Sequence, residues 1–424
     1  MTDYDATVQI VRRLTEAGHK AYLAGGCVRD RLLGVEPKDY DVATDAEPDV
    51  VRRCFRSSRF VGESFGVVLV PIRHNRQQHL IEVATFRTEW GYTDGRRPTH
   101  VTFSDAEHDA TRRDFTINGL FEDPLAASDD ERIIDYVEGL PDLERGVIRA
   151  IGDADTRFGE DYLRLLRAVR FAARFGFEIE SATARAIERY AKRLGKISRP
   201  RIGQEVMAML TPGPDAHPLQ AAGLIQDSHL DGPVLTESHA TPPLATLGAL
   251  SNDAAYPTAL AAWLTDRHYS SAGSGADVLD AAAAEDAAGR WRRALCLSNG
   301  HHDQLRQVLR AAVNARSWPT LPLARRKRLL AHPIWPQAAA LLQASAAAGR
   351  DVEVTEQVLN ESRSLLEQDV APEPLVNGDD LIEIGLRPGP RLGRLLDAVY
   401  DAQLEGCVRD RAEALDWVRR ETLS

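Results

Sequence analysis

Two aspartates, Asp39 and Asp41, are separated by one residue in the segment DYDVAT. If this segment is a β-strand, both carboxylates leave one face of it, while Tyr40 and Val42 point the other way, toward a core. Two like charges this close are unfavourable without a cation between them, and Mg²⁺ is held in this way. A third acid, Glu82, interrupts the apolar segment HLIEVATF, where a buried unpaired carboxylate would be costly. Because two metal ions held by acidic side chains suit in-line attack on phosphorus, the pattern predicts two Mg²⁺ ions at Asp39 and Asp41, with Glu82 as a supporting catalytic acid.

A glycine pair, Gly25 and Gly26, precedes these acids in AYLAGGCVRDRLLG, between a predicted short strand and a predicted short helix that ends at Gly34. Glycines let a ligand approach the backbone, and a helix start presents free N–H groups to an anion. Arg29 adds a planar cationic fork that suits phosphate. For either motif alone, an ordinary strand-turn-strand with surface acids is the alternative. The complete order of strand, glycine pair, arginine, helix, aspartate pair and acid-bearing strand favours a nucleotide site.

The six residues GCVRDR occur twice, at positions 26–31 and 406–411. Only the first copy follows a predicted strand and a glycine pair and precedes an aspartate pair. The second copy stands in AQLEGCVRDRAEALDWVRR, a pattern of helix, glycine stop and second helix. The second copy is therefore predicted to be structural.

The composition is that of a globular protein with more than one folding unit, because 424 residues exceed one ordinary core and 43% of them are hydrophobic. No apolar run approaches the ~20 residues that cross a bilayer, and the acidic start lacks the basic-then-apolar order of a secretion signal. The four cysteines lie far apart, which favours reduced thiols over a disulfide framework. These features predict a cytoplasmic protein without a membrane segment.

The charge is unevenly distributed along the sequence. A net charge of −11 argues against a protein that coats nucleic acid indiscriminately. Residues 164–201 are nevertheless strongly basic. This segment is either a solvated helix face or a local surface for phosphates, and its composition alone favours the solvated face.

Short β-rich segments, among them FGVVLVPI and HLIEVATF, are confined to the first third of the sequence. After about Leu143 the strands disappear, and the sequence shows helical periodicity broken by clusters such as TPGPDAHP and SSAGSGAD. This pattern predicts an α+β head with a small mixed sheet, followed by an all-α remainder.

Three segments together carry a family resemblance. GGCVRDRLLGVEPKDYDVAT, TRRDFTINGL and EDYLRLLRAVRF resemble successive motifs of class II tRNA nucleotidyltransferases, the CCA-adding enzymes that are related to bacterial poly(A) polymerases. The resemblance is close over residues 20–177, weaker beyond them, and returns in PLVNGDDLIEIGLRPGPRLGRLLDAVYDAQLEG. It implies a polymerase-β-like catalytic head at 1–143, a helical neck at 144–212 for base recognition and RNA binding, a helical body at 213–365, and a helical tail at 366–424 that contacts tRNA.

The resemblance implies that the 3′-terminal CCA of tRNA is added or repaired from CTP and ATP, with protein side chains selecting the base. A poly(A) polymerase, or a relative specialised for A or for CC alone, is the nearest alternative. The segment RFVGESFGVVLV resembles the CCA form more than the polymerase form. RTEWGYTDGRRPTHV resembles a loop of the family that tends to be shortened in enzymes that add only CC, and its full length here favours the CCA form. A catalytically silent RNA-binding protein is the alternative of another class, and the intact Asp39 and Asp41 argue against it. No stable protein partner is expected.

For base selection, the resemblance assigns contacts with the base to Asp161 and Arg164, and further nucleotide contacts to Arg167 and Arg170. The spacing of three predicts that Asp161, Arg164 and Arg167 share one helix face. Cytosine and adenine each present an amino donor beside a ring-nitrogen acceptor, which a carboxylate and a guanidinium match. For EDYLRLLR alone, a surface helix with a Glu–Arg pair is the alternative.

For sugar and RNA contacts, the resemblance assigns Arg113 to the nucleotide, Asp114 and Asn118 to the ribose, and Arg201 to RNA, with Glu205 beside it. A helix start with surface charge is the alternative for TRRDFTING. The tail segment IGLRPGPRLG is predicted to hold RNA phosphates, or else to be only a tight helix–helix connection. Its arginines are Arg387, Arg391 and Arg394.

Two further features are interpreted as structural. The segment NGHHDQ lacks the additional His and Asp of a metal-dependent phosphohydrolase, so polar residues at a helix end are favoured. Scattered tryptophans are more often core than platforms for bases; they are Trp263, Trp291, Trp318 and Trp335.

Overall fold

The computed structural model describes residues 2–61, 66–74, 77–91, 100–213, 216–271 and 279–423. The chain forms two compact units, Met1–Met209 with Asp215–His239, and Leu210–Pro214 with Ala240–Ser424. Five segments named above, RFVGESFGVVLV, FGVVLVPI, RTEWGYTDGRRPTHV, TPGPDAHP and SSAGSGAD, lie partly outside the described residues. The finer division into head, neck, body and tail stays a prediction.

All strands found among the described residues belong to the first unit. They are β1 (Ala21–Ala24), β2 (Asp41–Thr44), β3 (Arg59–Phe60), β4 (Val67–His74), β5 (Gln77–Thr85), β6 (Arg87–Trp90), β7 (His100–Phe103), β8 (Phe121–Glu122), β9 (Ile133–Ile134), β10 (Val147–Ile148) and β11 (Glu178–Ile179). In this described part, seven strands form one mixed sheet in the order β3-β4-β5-β2-β1-β8-β9. The other strands pair as β6 with β7 and β10 with β11.

The centre of this sheet determines where the acids lie. Strand β2 runs parallel to β5, and the register sets Asp41 directly opposite Glu82. Strand β2 begins at Asp41, so the prediction that Asp39 also belongs to the strand is wrong by two residues. Tyr40 and Val42 are buried, as predicted from the alternation of side chains.

Alternation also explains why these segments become strands. Val68 and Val70 of β4 and Ile81 and Val83 of β5 are buried, whereas Glu82 between the last two is exposed. One face of the sheet therefore faces the core, and the acids stand on the other face. Glu82 therefore avoids the cost of a buried, unpaired carboxylate.

The first unit also contains α-helices. They are α1 (Asp3–Glu16), α2 (Gly26–Leu32), α3 (Pro48–Cys54), α4 (Ala106–Thr111), α5 (Gly139–Arg145), α6 (Ala154–Glu160), α7 (Leu163–Phe175), α8 (Ser181–Tyr190), α9 (Arg199–Leu210), α10 (Pro218–Asp227) and α11 (Asp231–Leu235). Helix α7 buries Leu165, Leu166 and Val169 on one face and ends at Gly176, whose φ of 67° suits glycine. Its arginines therefore project from the other face.

The described part of the second unit is helical. Its helices are α12 (Ala245–Ala249), α13 (Tyr256–Ser271), α14 (Ala281–Leu295), α15 (Asn299–Ala315), α16 (Leu323–Ala331), α17 (Trp335–Ala347), α18 (Val352–Leu366), α19 (Gly378–Glu383), α20 (Pro390–Leu404) and α21 (Arg411–Leu423). The predicted core tryptophans are buried here. Trp263 packs edge-on against Trp291 with ring centres 5.3 Å apart, and Trp318 stacks on Trp335 at 6.2 Å.

The predicted fold class, an α+β head followed by helices, is confirmed, with one correction. Strands do not disappear after Leu143, because β10 and β11 form a short parallel pair within the helical region. The NGHHDQ segment forms the first turns of α15, where Ser298 caps the helix by accepting from the His301 N–H. Among the described residues, we find no helix with the length and apolar character needed to span a membrane.

Candidate active site

A cavity of about 530 Å³ in the first unit contains most of the residues predicted to bind a nucleotide. Its described lining includes seven arginines and three aspartates, which gives it a positive balance in a protein whose net charge is −11. Such a cavity attracts an anionic ligand. It is lined by Gly25, Gly26, Arg29, Asp41, Arg112, Arg113, Asp114, Asn118, Asp161, Arg164, Arg167, Arg170, Phe171 and Arg174. A larger cavity, about 620 Å³, lies in the second unit between residues of α15 and α16 and contains none of the predicted site residues.

The glycine pair brings an arginine against the backbone. Gly25 has a φ of 73°, and a Cβ built on it would lie 2.6 Å from Nη1 of Arg113. Gly26 begins α2, and a Cβ there would make only an ordinary contact with Arg29. The backbone conformation therefore favours glycine at Gly25, and the missing side chain also lets the Arg113 guanidinium approach closely.

Arg113 is held in place by a buried carboxylate. Asp109, on α4, accepts a hydrogen bond from Nη2 of Arg113 at 3.0 Å and from Nη2 of Arg112 at 2.6 Å. Burial alone would raise the pKa of Asp109, but the charges of Arg113 and Arg112 lower it below its ordinary value. Nη1 of Arg113 also donates to the backbone carbonyl of Asn118 at 3.2 Å.

The acids form a cluster at the edge of the cavity. Asp41 lines the cavity, Glu82 lies opposite it on β5, and Asp39 precedes it by two residues. Loss of surrounding water and the charges of Glu82 and Asp39 raise the pKa of Asp41 to about 6, against the opposing charge of Arg113. The charge of Arg113 therefore only partly offsets the repulsion among these carboxylates, and a further cation there would be stabilising.

This donor set fits a divalent cation. Mg²⁺ commonly takes one or two carboxylates from the protein and completes its shell with water and substrate phosphates. Among the described residues, no group of three His, Cys, Asp or Glu side chains has the arrangement needed to hold a metal ion by itself. A cation at Asp41 would therefore take part of its ligands from water or from a bound phosphate.

Asp114 and Asn118 face the cavity beside one another. The carboxylate of Asp114 accepts from Nε of Arg167 at 2.7 Å and from Nδ2 of Asn118 at 2.9 Å. Burial would raise the pKa of Asp114, but Arg167 and the Asn118 amide lower it well below its ordinary value. Asp114 is thus an ionised acceptor, and Asn118 follows it on a 3₁₀ turn at Thr116–Asn118.

Arg29 is more enclosed than a residue that directly binds phosphate would be. It is 3% exposed and donates from Nε and Nη2 to Asp30 at 2.8 and 2.6 Å, and from Nη1 to Oδ1 of Asn118. Its guanidinium carbon lies 4.9 Å from the ring centre of Phe171 and 4.8 Å from that of Phe175. Arg29 therefore links α2 to α7 and to the turn that carries Asn118.

Asp161 does not lie on the helix that carries Arg164, contrary to the predicted common helix face. It follows the end of α6, with φ −146° and ψ 107°, and α7 begins two residues later. It accepts from Nη2 of Arg201 at 2.7 Å and from the N–H of Leu163 at 3.0 Å. Asp161 and Arg164 nevertheless line the same cavity.

Arg164 is oriented by neighbours on both sides. It donates to Glu160, to the backbone carbonyl of Arg157 at 2.8 Å and to that of Arg112 at 3.2 Å. A guanidinium has five N–H donors, so these three bonds leave others for a ligand.

Arg167 and Arg170 of α7 share one acidic partner and one aromatic ring. Glu205, on α9, accepts from Nε of Arg170 at 2.7 Å and lies 3.9 Å from Arg167. The guanidinium carbons of Arg170 and Arg167 lie 4.3 and 5.2 Å from the ring centre of Phe171. Cation–π contacts of this kind hold the arginines upright at the cavity wall.

Several lining residues were missed by the sequence analysis. Arg174 and Phe171 continue the α7 face on which Arg167 and Arg170 were identified, so helical spacing could have found them. Arg112 is the neighbour of Arg113 in the TRRD segment. The bond between Arg201 and Asp161 joins residues forty positions apart, for which no sequence pattern gives a signal.

The tail arginines differ from those of the cavity. Arg387 lies in the turn before α20, and Arg391 and Arg394 lie in the first turns of that helix. All three are exposed, and none has a hydrogen bond or ion pair to another described residue. They are therefore free to bind an external anion.

Comparisons with known proteins agree with this arrangement. Residues 21–149 match the family described as "Poly A polymerase head domain", and residues 176–218 match "Probable RNA and SrmB-binding site of polymerase A". The chain is 33% identical to a CCA-adding enzyme of Lacticaseibacillus paracasei, over 97% of this chain and 95% of that protein. It is 42% identical to poly(A) polymerase I of Salmonella typhi, over 49% of this chain and 45% of that protein.

Among solved structures, the chain is similar to the CCA-adding enzyme of Bacillus stearothermophilus in complex with CTP. The TM-score is 0.72 with 27% identity, and the match covers 100% of this chain and 98% of the other. The likeness therefore extends over both units and is not confined to the cavity.

Proposed function

This chain belongs to the family of class II tRNA nucleotidyltransferases, which includes CCA-adding enzymes and bacterial poly(A) polymerases, and we propose that it adds or repairs the 3′-terminal CCA of tRNA. In this reaction the 3′-hydroxyl oxygen of the RNA attacks the α-phosphorus of CTP or ATP. A new phosphodiester bond forms, the bond to the β-phosphate breaks, and pyrophosphate leaves.

One observation supports the proposal above the others. A single cavity contains both Asp41, beside the double-glycine turn, and the pair Asp161 and Arg164. Asp41 and the glycine turn offer an acidic side chain for a metal ion and a backbone that a triphosphate can approach, as phosphoryl transfer requires. Asp161 and Arg164 offer a carboxylate and a guanidinium that can form hydrogen bonds with a base. A protein that only binds RNA has no need for the acid cluster.

In the proposed reading of the base, Asp161 accepts from the exocyclic amine and Arg164 donates to the ring nitrogen. Cytosine and adenine satisfy both groups, whereas uracil and guanine present the opposite pattern and leave buried groups unpaired. Such a mismatch discriminates by about 10⁴-fold or more. Arg201 and Glu160 act as the supports that hold these two side chains in position.

Members of this family generally use divalent metals, and we assign two Mg²⁺ ions to Asp39 and Asp41, with Glu82 in support. Bound there, such ions supply a lower pKa for the 3′-hydroxyl and neutralise the charge of the departing pyrophosphate. The residues of the chain hold the substrate for this chemistry. Arg113 and the Gly25–Gly26 backbone face the triphosphate, and Asp114 with Asn118 faces the ribose.

For the RNA, we assign phosphate contacts to the basic segment 164–201 and to the exposed tail arginines. Paired RNA offers little readable sequence, so its shape and phosphates are what such surfaces recognise. In this assignment residues 1–143 are the catalytic head, 144–212 the neck, 213–365 the body and 366–424 the tail. We place the protein in the cytoplasm, where tRNA is the substrate.

Sequencing of reaction products tests the proposal. Transcripts of tRNA that end before the tail, after one C and after CC are incubated with single and mixed nucleotides and Mg²⁺. Completion to CCA followed by arrest supports the proposal. A long A tract would identify a poly(A) polymerase. Products that end after CC, or that are extended only by A, would identify a specialised relative. Incorporation of U or G at comparable rates would overturn the roles of Asp161 and Arg164.

A further inference from the structure

The position of Arg29 is unusual for a group expected to bind phosphate. Although it lines the cavity, it is 3% exposed, and its N–H groups already point to Asp30 and Asn118. Oδ2 of Asp30 also accepts a hydrogen bond from Nη2 of Arg174, on α7, at 3.3 Å. The guanidinium is therefore a fixed internal support, with little of its surface available to a triphosphate.

The contact between Arg29 and Asn118 fixes the orientation of the Asn118 amide. A guanidinium can only donate, so the amide atom facing Arg29 must be Oδ1. The ionised Asp114 can only accept, so the atom facing it must be Nδ2, at 2.9 Å. Flipping the amide would place donor against donor and acceptor against acceptor.

This orientation leaves a defined group for the ligand. Nδ2 carries two hydrogens, and the bond to Asp114 uses one of them. Because Asn118 lines the cavity, the second N–H is available there, next to the carboxylate of Asp114. A sugar hydroxyl could accept from Asn118 and donate to Asp114 at the same time, whereas a 2′-deoxy sugar leaves this second N–H without an acceptor and offers Asp114 no donor.

We propose that Arg29 is a positioning residue for sugar selection, which fixes the Asn118 amide so that the site favours ribonucleotides over 2′-deoxyribonucleotides. This inference rests on the proposed function, in which Asp114 and Asn118 face the ribose. It differs from the phosphate-binding role expected from the sequence. It also differs from a purely structural role, in which Arg29 only joins α2 to α7.

These three roles predict different effects on CTP and dCTP. CTP and dCTP carry the same triphosphate, so loss of a phosphate ligand weakens both equally. Loss of a structural support also lowers the activity with both nucleotides in the same proportion. Only a role in sugar selection changes the ratio between them.

The test compares Arg29→Lys with Arg409→Lys, the equivalent change in the exposed second copy of GCVRDR. Lysine retains the positive charge beside Asp30 but lacks the planar fork that reaches both Asp30 and Asn118. The ratio of kcat/KM for CTP to that for dCTP, on a tRNA transcript that ends before the CCA, should fall about 3- to 10-fold, as expected for one lost hydrogen bond. Arg409→Lys should leave this ratio unchanged.

A double-mutant cycle shows whether Arg29 acts through Asn118. Asn118→Ala should lower the ratio at least as much as Arg29→Lys, and adding Arg29→Lys to Asn118→Ala should change it no further. Additive effects, or an unchanged ratio in an Arg29→Lys protein that still unfolds cooperatively, would overturn the inference.

Equilibrium binding of CTP and dCTP without RNA provides the second measurement. If the wild-type protein extends no tRNA, the proposed function fails, yet the ratio of the two dissociation constants still tests the role of Arg29. An Arg29→Lys protein that binds the two nucleotides with the wild-type ratio would refute it independently of catalysis.

Discussion

The two copies of GCVRDR place identical residues in two very different environments. In the first copy, Arg29 and Asp30 are buried, bonded to each other and joined to α7. In the second, Arg409 and Asp410 are exposed in the turn between α20 and α21. The first copy begins helix α2, whereas the second copy forms the connection between α20 and the start of α21. Local sequence therefore does not determine either the conformation or the chemistry of this hexapeptide.

Only the valine behaves alike in both copies, since Val28 and Val408 are both buried. The glycines differ, because Gly26 is the first residue of α2 whereas Gly406 has a φ of 75° just after α20. A left-handed glycine after a helix is a common helix stop. The special glycine of the first copy is instead Gly25, which precedes the hexapeptide and accommodates Arg113. The surrounding residues thus decide what the six residues do.

The largest effect that would separate the two regions is expected at the acid cluster beside the first copy. Asp41→Asn removes the charge that would hold a cation, and incorporation of CTP should fall on the order of 10³-fold, equivalent to several kcal/mol of lost transition-state stabilisation. Asp410→Asn, in the second copy, should leave the rate within about twofold, as for most surface changes. Initial rates of incorporation into tRNA measure both, and tRNA binding by gel shift should be retained in each. Equal rates for Asp41→Asn and wild type would refute the catalytic role of Asp41.

The next largest effect is on stability. Asp30→Ala leaves the buried Arg29 without its main partner, and loss of one member of a buried ion pair costs about 3 kcal/mol or more. Asp410→Ala removes a cap, since Asp410 accepts from the N–H of Glu413 at 2.9 Å, and such a loss costs about 1 kcal/mol. Urea unfolding followed by fluorescence and circular dichroism measures both. If the two variants lose equal stability, the contrast between the buried and exposed copies is wrong.

A smaller and graded effect is expected from pH. Because the pKa of Asp41 is raised to about 6 from an ordinary value of 3.8, half of the Asp41 side chains are protonated near pH 6, and below this pH kcat/KM should fall toward tenfold per pH unit. The same shift makes ionised Asp41 destabilising above pH 6, since the unfolded chain ionises more readily, and this penalty disappears as the pH falls. Glu82→Gln removes one of the charges that raise this pKa, so the midpoint of the pH profile should move lower.

Added Mg²⁺ should move the same midpoint lower, because a cation favours the ionised carboxylate. pH–rate profiles at several Mg²⁺ concentrations measure the shift for the wild type and for Glu82→Gln. An unchanged midpoint in both series would show that another group controls the profile.

The sequence predicted β1, α2, β2, β5 and α7, but it predicted neither α4 and α6 nor the contacts between elements. The β-rich composition and length of DYDVAT and HLIEVATF were enough to predict β2 and β5, yet only the parallel register shows that Asp41 faces Glu82. Helical spacing predicted the arginine face of α7 but extended it wrongly to Asp161, because a two-residue break has no periodic signal. The burial of Arg29 depends on Asp30, Asn118 and two phenylalanines that converge only in the folded chain.

The smallest effect on activity is expected from alkylation of the cysteines in the two copies, an experiment that tests only how buried each copy is. Burial raises the pKa of Cys27 to about 11, so its reactive thiolate is scarce at neutral pH and the thiol is inaccessible. Cys407 is exposed and should react with iodoacetamide, as should Cys296. Peptide mass spectrometry of the folded protein should therefore find label at Cys407 and none at Cys27, with incorporation of CTP unchanged. In denaturant both cysteines should react, because the difference between them lies in the fold and not in the hexapeptide. Label at Cys27 in the folded, active protein would mean that the first copy is not buried as described.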